Sequence, residues 1–181
     1  MRTPLCELVL KYRSDKCPAL GHFYTLFYDK LLSGKRNEIQ KVLEIGVGYP
    51  GTMPVENYLT GASLFMWRDY FPNAMIHAID DRDDALVNDD RIISYKVDQS
   101  VSSQLINLIL EMRKDFDLIV DDGSHKADHQ IISAIALLPY VKEGGDYIIE
   151  DVSEPNKVIK ALSEFGYICS VVQMDLNDLD N

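Results

Sequence analysis

The chain has only three cysteines in 181 residues, Cys6, Cys17 and Cys169. They are widely spaced and form no C-x-x-C pair, which argues against a disulfide framework and against a thiolate zinc site. It also lacks any apolar run near the roughly 20 residues that cross a bilayer, and its N-terminus lacks the basic, apolar and small-residue order of a signal peptide. A soluble, cytoplasmic protein with no membrane partner is the expectation. Positive charge is scarce too: 18 Lys and Arg stand against 29 Asp and Glu, a formal net charge of -11. The only basic clusters are short, such as Lys35-Arg36 and Arg113-Lys114, so a polyanion such as nucleic acid is a poor partner. The acidity suits a neutral polyol or sugar, a cationic donor and a divalent metal.

What the chain does have is alternation. Apolar strand-like runs and helical patterns succeed one another from Val42 onward, which predicts an α/β fold with a doubly wound, mostly parallel sheet covered by helices on both faces. One folding unit is expected, with residues 1–41 as a helical extension packed on a core of 42–181. Strands are predicted at Val42–Gly46, Met75–Asp80, Ile92–Val97, Phe116–Asp121, Asp146–Glu150 and near Tyr167–Met174. Helices are predicted from a Thr60 cap through Arg68, from Ser100 through Ile109, from Ala127 to Leu138 and from Lys157 to Phe165, with Gly166 as the last C-cap. A further helical stretch spans Phe23 to Leu32. The polar run Asp175–Asn181 offers no closing strand, so the sheet is expected to lack its last one.

The most informative stretch is Val42-Leu43-Glu44-Ile45-Gly46-Val47-Gly48. An apolar strand ends in an acid and two glycines, which let the backbone turn where a side chain would block a ligand. Gly46, Gly48 and Gly51 also spell the G-x-G-x-x-G of dinucleotide sites. That reading needs the third glycine inside a helix and a ribose-binding acid about 20 residues on. Here Tyr49-Pro50-Gly51 and Pro54 mark a loop and the next strand-end acid is Asp80. Glu-x-Gly-x-Gly is more typical of S-adenosylmethionine (SAM) binding.

In an open parallel sheet, ligands bind beyond the carboxyl ends of the strands, and acids occupy those ends here: Glu44, Asp80-Asp81, Asp98, Asp121-Asp122 and Glu150-Asp151. Any one of them could merely cap a turn. Asp80 fits a ribose clamp, and Asp98-Gln99-Ser100 lies where an adenine ring should pass. Asp122, Glu150 and Asp151 form an all-oxygen set suited to Mg2+, because three uncompensated carboxylates call for a cation. His125, three residues after Asp122, could take a proton from a substrate hydroxyl at neutral pH. His77 and His129 read as structural.

Taken together, Leu43–Gly48, Gly61-Ala62-Ser63-Leu64-x-Met66-Trp67, Asp98-Gln99-Ser100, Asp121–His125 and Ile149-Glu150-Asp151 resemble the metal-dependent sugar O-methyltransferases of macrolide antibiotic biosynthesis. The resemblance runs from about Ser14 to Val152. It implies the class I methyltransferase fold, SAM and Mg2+ as cofactors, and methylation of a hydroxyl on a sugar or glycoside acceptor. Matched by motif, the metal ligands are Asp122, Glu150 and Asp151, and the general base is His125. The cofactor set becomes Glu44, Gly46, Gly48, Ser63, Asp80, Asp98, Gln99 and Asp121. Asp15-Lys16 and His22-x-Tyr24-Thr25 match a family segment near the active site, which puts His22 and Tyr24 on the substrate side. A homo-oligomer is compatible with the sequence. Three rival readings remain, a catechol-type O-methyltransferase, a non-catalytic SAM-binding partner subunit and an NAD-dependent enzyme.

Overall fold

The computed structural model describes residues 2–53, 55–112 and 115–174. Pro54, Arg113-Lys114 and the stretch 175–181 lie outside the described residues. Six strands form one sheet: β1 (Lys41–Ile45), β2 (Met75–Asp80), β3 (Asn88–Asp89), β4 (Ile92–Lys96), β5 (Phe116–Asp121) and β6 (Val141–Ile149). Their order is β3-β4-β2-β1-β5-β6, parallel throughout except for the short β3–β4 pair. The chain therefore leaves β1 toward β2 and β4, then returns to β1's other side at β5. That reversal opens a crevice at the carboxyl ends of β1 and β5, where parallel α/β sheets bind ligands.

The central strands are buried on both faces and alternate between two cores. Val42, Ile76, Ala78, Ile92, Leu118 and Val120 face α1 (Pro4–Tyr12), α2 (Tyr24–Leu32) and α3 (Ala62–Tyr70). Leu43, Ile45, Phe116 and Ile119 face α4 (Ser102–Met112) and α5 (Ala127–Leu137). A last helix, α6 (Pro155–Glu164), packs Val158 and Leu162 against α5. The N-terminal helices thus share one core with α3 and the sheet.

Helix α1 was absent from the sequence reading, although its signals are present. The Thr3 hydroxyl accepts from the Cys6 N–H at 3.2 Å, Pro4 occupies the first turn, and Arg13 ends the helix in the left-handed region. At α3 the expected Thr60 cap gives way to Gly61, whose φ of 71° only glycine adopts without strain. Strand β6 begins five residues earlier than the predicted Asp146. Val141 pairs with Phe116 and Asp146 with Leu118, so the intervening residues bulge out around Gly144 at φ 77°.

The predicted strand at Tyr167–Met174 does not form. The segment carries no ladder pairing, and Ile168, Val171 and Val172 are exposed. Strand character in a sequence is expressed only when a neighbouring edge accepts the pairing, and among the described residues β6 is paired on its β5 side alone. No helix among the described residues is long and apolar enough to cross a membrane.

Candidate active site

The ladder hydrogen bonds continue past the strand ends and set the floor of the crevice. The N–H groups of Gly46, Asp122 and Glu150 donate to the carbonyls of Ile79, Ile45 and Asp121 at 2.8, 2.9 and 2.9 Å. Gly46 has φ 89°, and a Cβ there would lie 2.9 Å from Asp122 C and Gly123 Cα. Only glycine lets the two loops come this close. Gly48, at φ 69°, faces the Tyr58 hydroxyl and Met53 in the same way.

The resulting cleft has a volume of about 520 Å³. Gly46, Gly48, Ser63, Asp80, Asp98, Gln99, Asp122, His125 and Asp151 all line it, so the structure brings most of the sequence-predicted residues to one wall. Asp80 accepts from the Val47 N–H at 2.9 Å through one oxygen and from the Arg82 N–H at 3.0 Å through the other. A carboxylate has further lone pairs, so Asp80 can brace the glycine loop and still accept from a ligand. Above it the Arg82 guanidinium lies 4.2 Å over the Tyr49 ring, joining the glycine loop to the loop after β2.

Asp98 accepts from the Ser100 N–H at 2.8 Å and from its hydroxyl at 2.6 Å, and these bonds lower its pKa. Gln99 is a bridge: its Oε1 accepts from the Ser124 N–H at 2.6 Å and its Nε2 donates to Asp121 at 3.1 Å. Asp121 itself is fully buried behind the cleft wall, where the Ser133 hydroxyl also donates to it. Burial pushes its pKa up to about 6, against the hydrogen bonds from Ser133 and Gln99. Glu44 is likewise fully buried behind the wall. Burial raises its pKa to about 7, offset in part by Lys16. Both its carboxylate oxygens lack a hydrogen-bond partner, and the Lys16 ammonium lies 3.7 Å away.

At the other end of the cleft, Asp122, His125 and Asp151 each offer a ligand atom within 4.8 Å of the others. Two carboxylates with open positions suit a divalent cation that also takes substrate oxygens, and the imidazole stands within reach of such an oxygen. Glu44, paired with Lys16, lies behind them. His125 and Asp151 both have left-handed backbones, φ 57° and 48°, which turn them over the cleft from the ends of β5 and β6. The Tyr24 hydroxyl donates to Asp151, and the His22 ring stacks on Tyr24 at 5.1 Å with its Nδ1 3.9 Å from Asp151. Glu150 lies beside Asp122, and the Lys16 ammonium bridges the two carboxylates. Glu150 is buried, accepts from Lys16 Nζ at 2.6 Å and from the Tyr28 hydroxyl, and does not join the Asp122–His125–Asp151 group.

The histidines read as structural have such partners: Ser124 Oγ is 2.9 Å from His129 Nδ1, and Tyr95 Oη is 3.3 Å from His77 Nδ1. The sequence reading missed Tyr28 and gave Lys16 no role beyond its place in the family segment. Lys16 and Tyr28 come from the N-terminal segment and supply the hydrogen bonds to Glu150.

The chain is 38% identical over 148 residues to a mycinamicin VI 2''-O-methyltransferase of Micromonospora griseorubida, covering 82% of this chain and 36% of that protein. It is 37% identical over 179 residues to a demethylmacrocin O-methyltransferase of Streptomyces fradiae, covering 93% and 43%. The chain is a relative of the macrolide sugar O-methyltransferases. The fold agrees: the MycE methyltransferase of the mycinamycin biosynthetic pathway, solved with Mg, SAH and mycinamycin VI, superposes with a TM-score of 0.74 at 34% identity. That match covers 86% of this chain and 42% of that one. The sheet is therefore the Rossmann-like methyltransferase sheet expected from the sequence. No family model matches. The chain spans roughly two-fifths of the length of the curated relatives it matches.

Proposed function

We propose that this chain is the donor-binding and methyl-transfer unit of a SAM-dependent O-methyltransferase whose acceptor is a sugar hydroxyl of a glycoside. The observation that carries the reading is the juxtaposition, in one cleft, of a glycine loop braced by Asp80 and the Asp122–His125–Asp151 group. Gly46 and Gly48 leave room for the donor against the backbone, Asp80 accepts from its ribose hydroxyls, and Asp98 and Gln99 flank its adenine. Ser63 lines the cleft from the first turn of α3, and the buried Glu44 and Asp121 support the wall from behind.

The group at the far end performs the chemistry. Asp122 and Asp151 would hold Mg2+, with Glu150 behind them, and the ion would act as a Lewis acid that acidifies the acceptor hydroxyl and orients it. His125 Nδ1 or Nε2 takes the hydroxyl proton. The acceptor oxygen then attacks the methyl carbon in line as the carbon–sulfur bond breaks, and the sulfonium leaves as a neutral thioether. Orientation and exclusion of water supply most of the acceleration. His22 and Tyr24, beside Asp151, form the acceptor's entrance.

The test is transfer of a labelled methyl group from SAM to a panel of glycosides and catechols, with Mg2+ or chelator. Mg2+-dependent labelling of glycosides supports the reading. Labelling confined to catechols, or donor binding without turnover on any acceptor, overturns it.

A further inference from the structure

Lys16 is the most deeply buried cation among the described residues, with its side chain 2% exposed. The segment that carries it is fixed by backbone bonds: the His22 N–H donates to the Asp15 carbonyl at 2.9 Å, and the Thr25 N–H, at the start of α2, donates to the Lys16 carbonyl at 3.0 Å. From there the side chain reaches the carboxyl ends of β1, β5 and β6 at once. Its ammonium lies 2.5 Å from Asp122, 2.6 Å from Glu150 and 3.7 Å from Glu44. Three carboxylates within 3.7 Å are the partners that a buried ammonium needs. The Tyr28 hydroxyl, held by edge-to-face packing on Trp67 at 5.0 Å, donates to the second Glu150 oxygen.

One positive charge thus faces three carboxylates, and Asp122 belongs to both the Lys16 cluster and the Asp122–His125–Asp151 group. A buried lysine with no other role would be costly, since burying ions is repaid only by close and well-bonded partners. We propose that Lys16 is a positioning residue, an internal counter-ion that keeps the acidic strand ends assembled before a divalent cation arrives and then shares Asp122 with that cation. Two consequences follow from charge balance. Without Lys16 the carboxylates repel one another unless a divalent cation replaces it. The divalent cation in turn binds more tightly once the competing ammonium is gone, because like charges a few ångströms apart cost energy. The inference rests on the proposed metal site but not on SAM or on any acceptor.

The experiment compares the wild type with Lys16→Met and with the milder Lys16→Gln. Thermal unfolding is followed in chelator and in millimolar Mg2+, and Mn2+ binding is followed by electron paramagnetic resonance. In chelator the Tm of Lys16→Met should fall by about 6–20 °C, the scale of a broken buried ion pair in a chain of this size. Mg2+ should restore about half of that loss or more while shifting the wild type much less. Mn2+ should bind Lys16→Gln about tenfold or more tighter than the wild type. If Lys16→Met is unfolded in both conditions, Lys16→Gln provides the same readouts. A Tm loss equal with and without Mg2+, or weaker Mn2+ binding in the variants, makes Lys16 merely structural and overturns the proposal. No Mn2+ binding by the wild type overturns the metal reading itself, and this proposal with it.

Discussion

The backbone N–H of Val47, the residue between the two glycines of the loop, donates to Asp80 Oδ2 at 2.9 Å. The acid at the end of β2 therefore holds the loop at the end of β1, and one carboxylate both shapes the donor cleft and faces it. Asp80→Asn keeps one acceptor oxygen for Val47 but removes the charge offered to a ribose. SAM affinity should fall by about 10- to 100-fold, the worth of hydrogen bonds to a charged group, with little change in Tm. Calorimetric titration checks this, and unchanged affinity would remove Asp80 from the donor site.

Gly46 makes a second prediction. At φ 89°, with Asp122 C and Gly123 Cα 2.9 Å from an added Cβ, Gly46→Ala must both strain the backbone and push the β5 loop away. The combined cost is about 2–4 kcal/mol, seen as a Tm drop of about 4–16 °C. SAM binding should be lost as well. A variant with wild-type Tm would mean that the close approach of the two loops is wrong.

His125 can be tested without disturbing its backbone, because asparagine tolerates the left-handed region that His125 occupies at φ 57°. His125→Asn should lower turnover by roughly 10²–10⁴-fold and leave the dissociation constant for SAM unchanged. Full activity across the pH range would exclude His125 as the base.

Stability should depend on pH through His77. Burial in β2, with the Lys41 charge adding to it, depresses its pKa to about 4 from 6.5. As pH falls from 6.5 toward 4, the unfolded chain takes up a proton that the folded chain refuses, so stability is lost across that window. Asp121 acts in the opposite sense: its raised pKa of about 6 lets the folded state bind a proton first as pH falls, which favours folding. His77→Phe isolates the first effect. The Tm of the variant relative to wild type should rise as pH is lowered from 7 to 4, and parallel Tm curves would contradict the assignment.

What was legible in the sequence was whatever the chain states locally. The strands β1, β2, β4 and β5 were predicted to within a residue at each end, because buried parallel strands read as continuous apolar runs. The acids at their ends followed at once, and so did the cleft they line. Features set by distant partners were not legible. The early start of β6 depends on a bulge at Gly144 opposite β5, and the absent strand at Tyr167–Met174 depends on an edge that does not pair with it. Lys16 shows no local sign of burial, since a lysine in a polar stretch reads as solvated; only the fold brings it to Asp122 and Glu150, 106 and 134 residues away in sequence. The sequence did pose the question it answers, because clustered strand-end carboxylates require a cation.

Donor binding is decided by calorimetric titration of the protein with SAM and with its demethylated product, each in Mg2+ and in chelator, with NADH as control. SAM and its product should bind with micromolar affinity and NADH not at all, with Asp122→Ala abolishing any response to Mg2+. Binding of NADH without SAM, or no binding of SAM in either condition, would contradict the donor assignment.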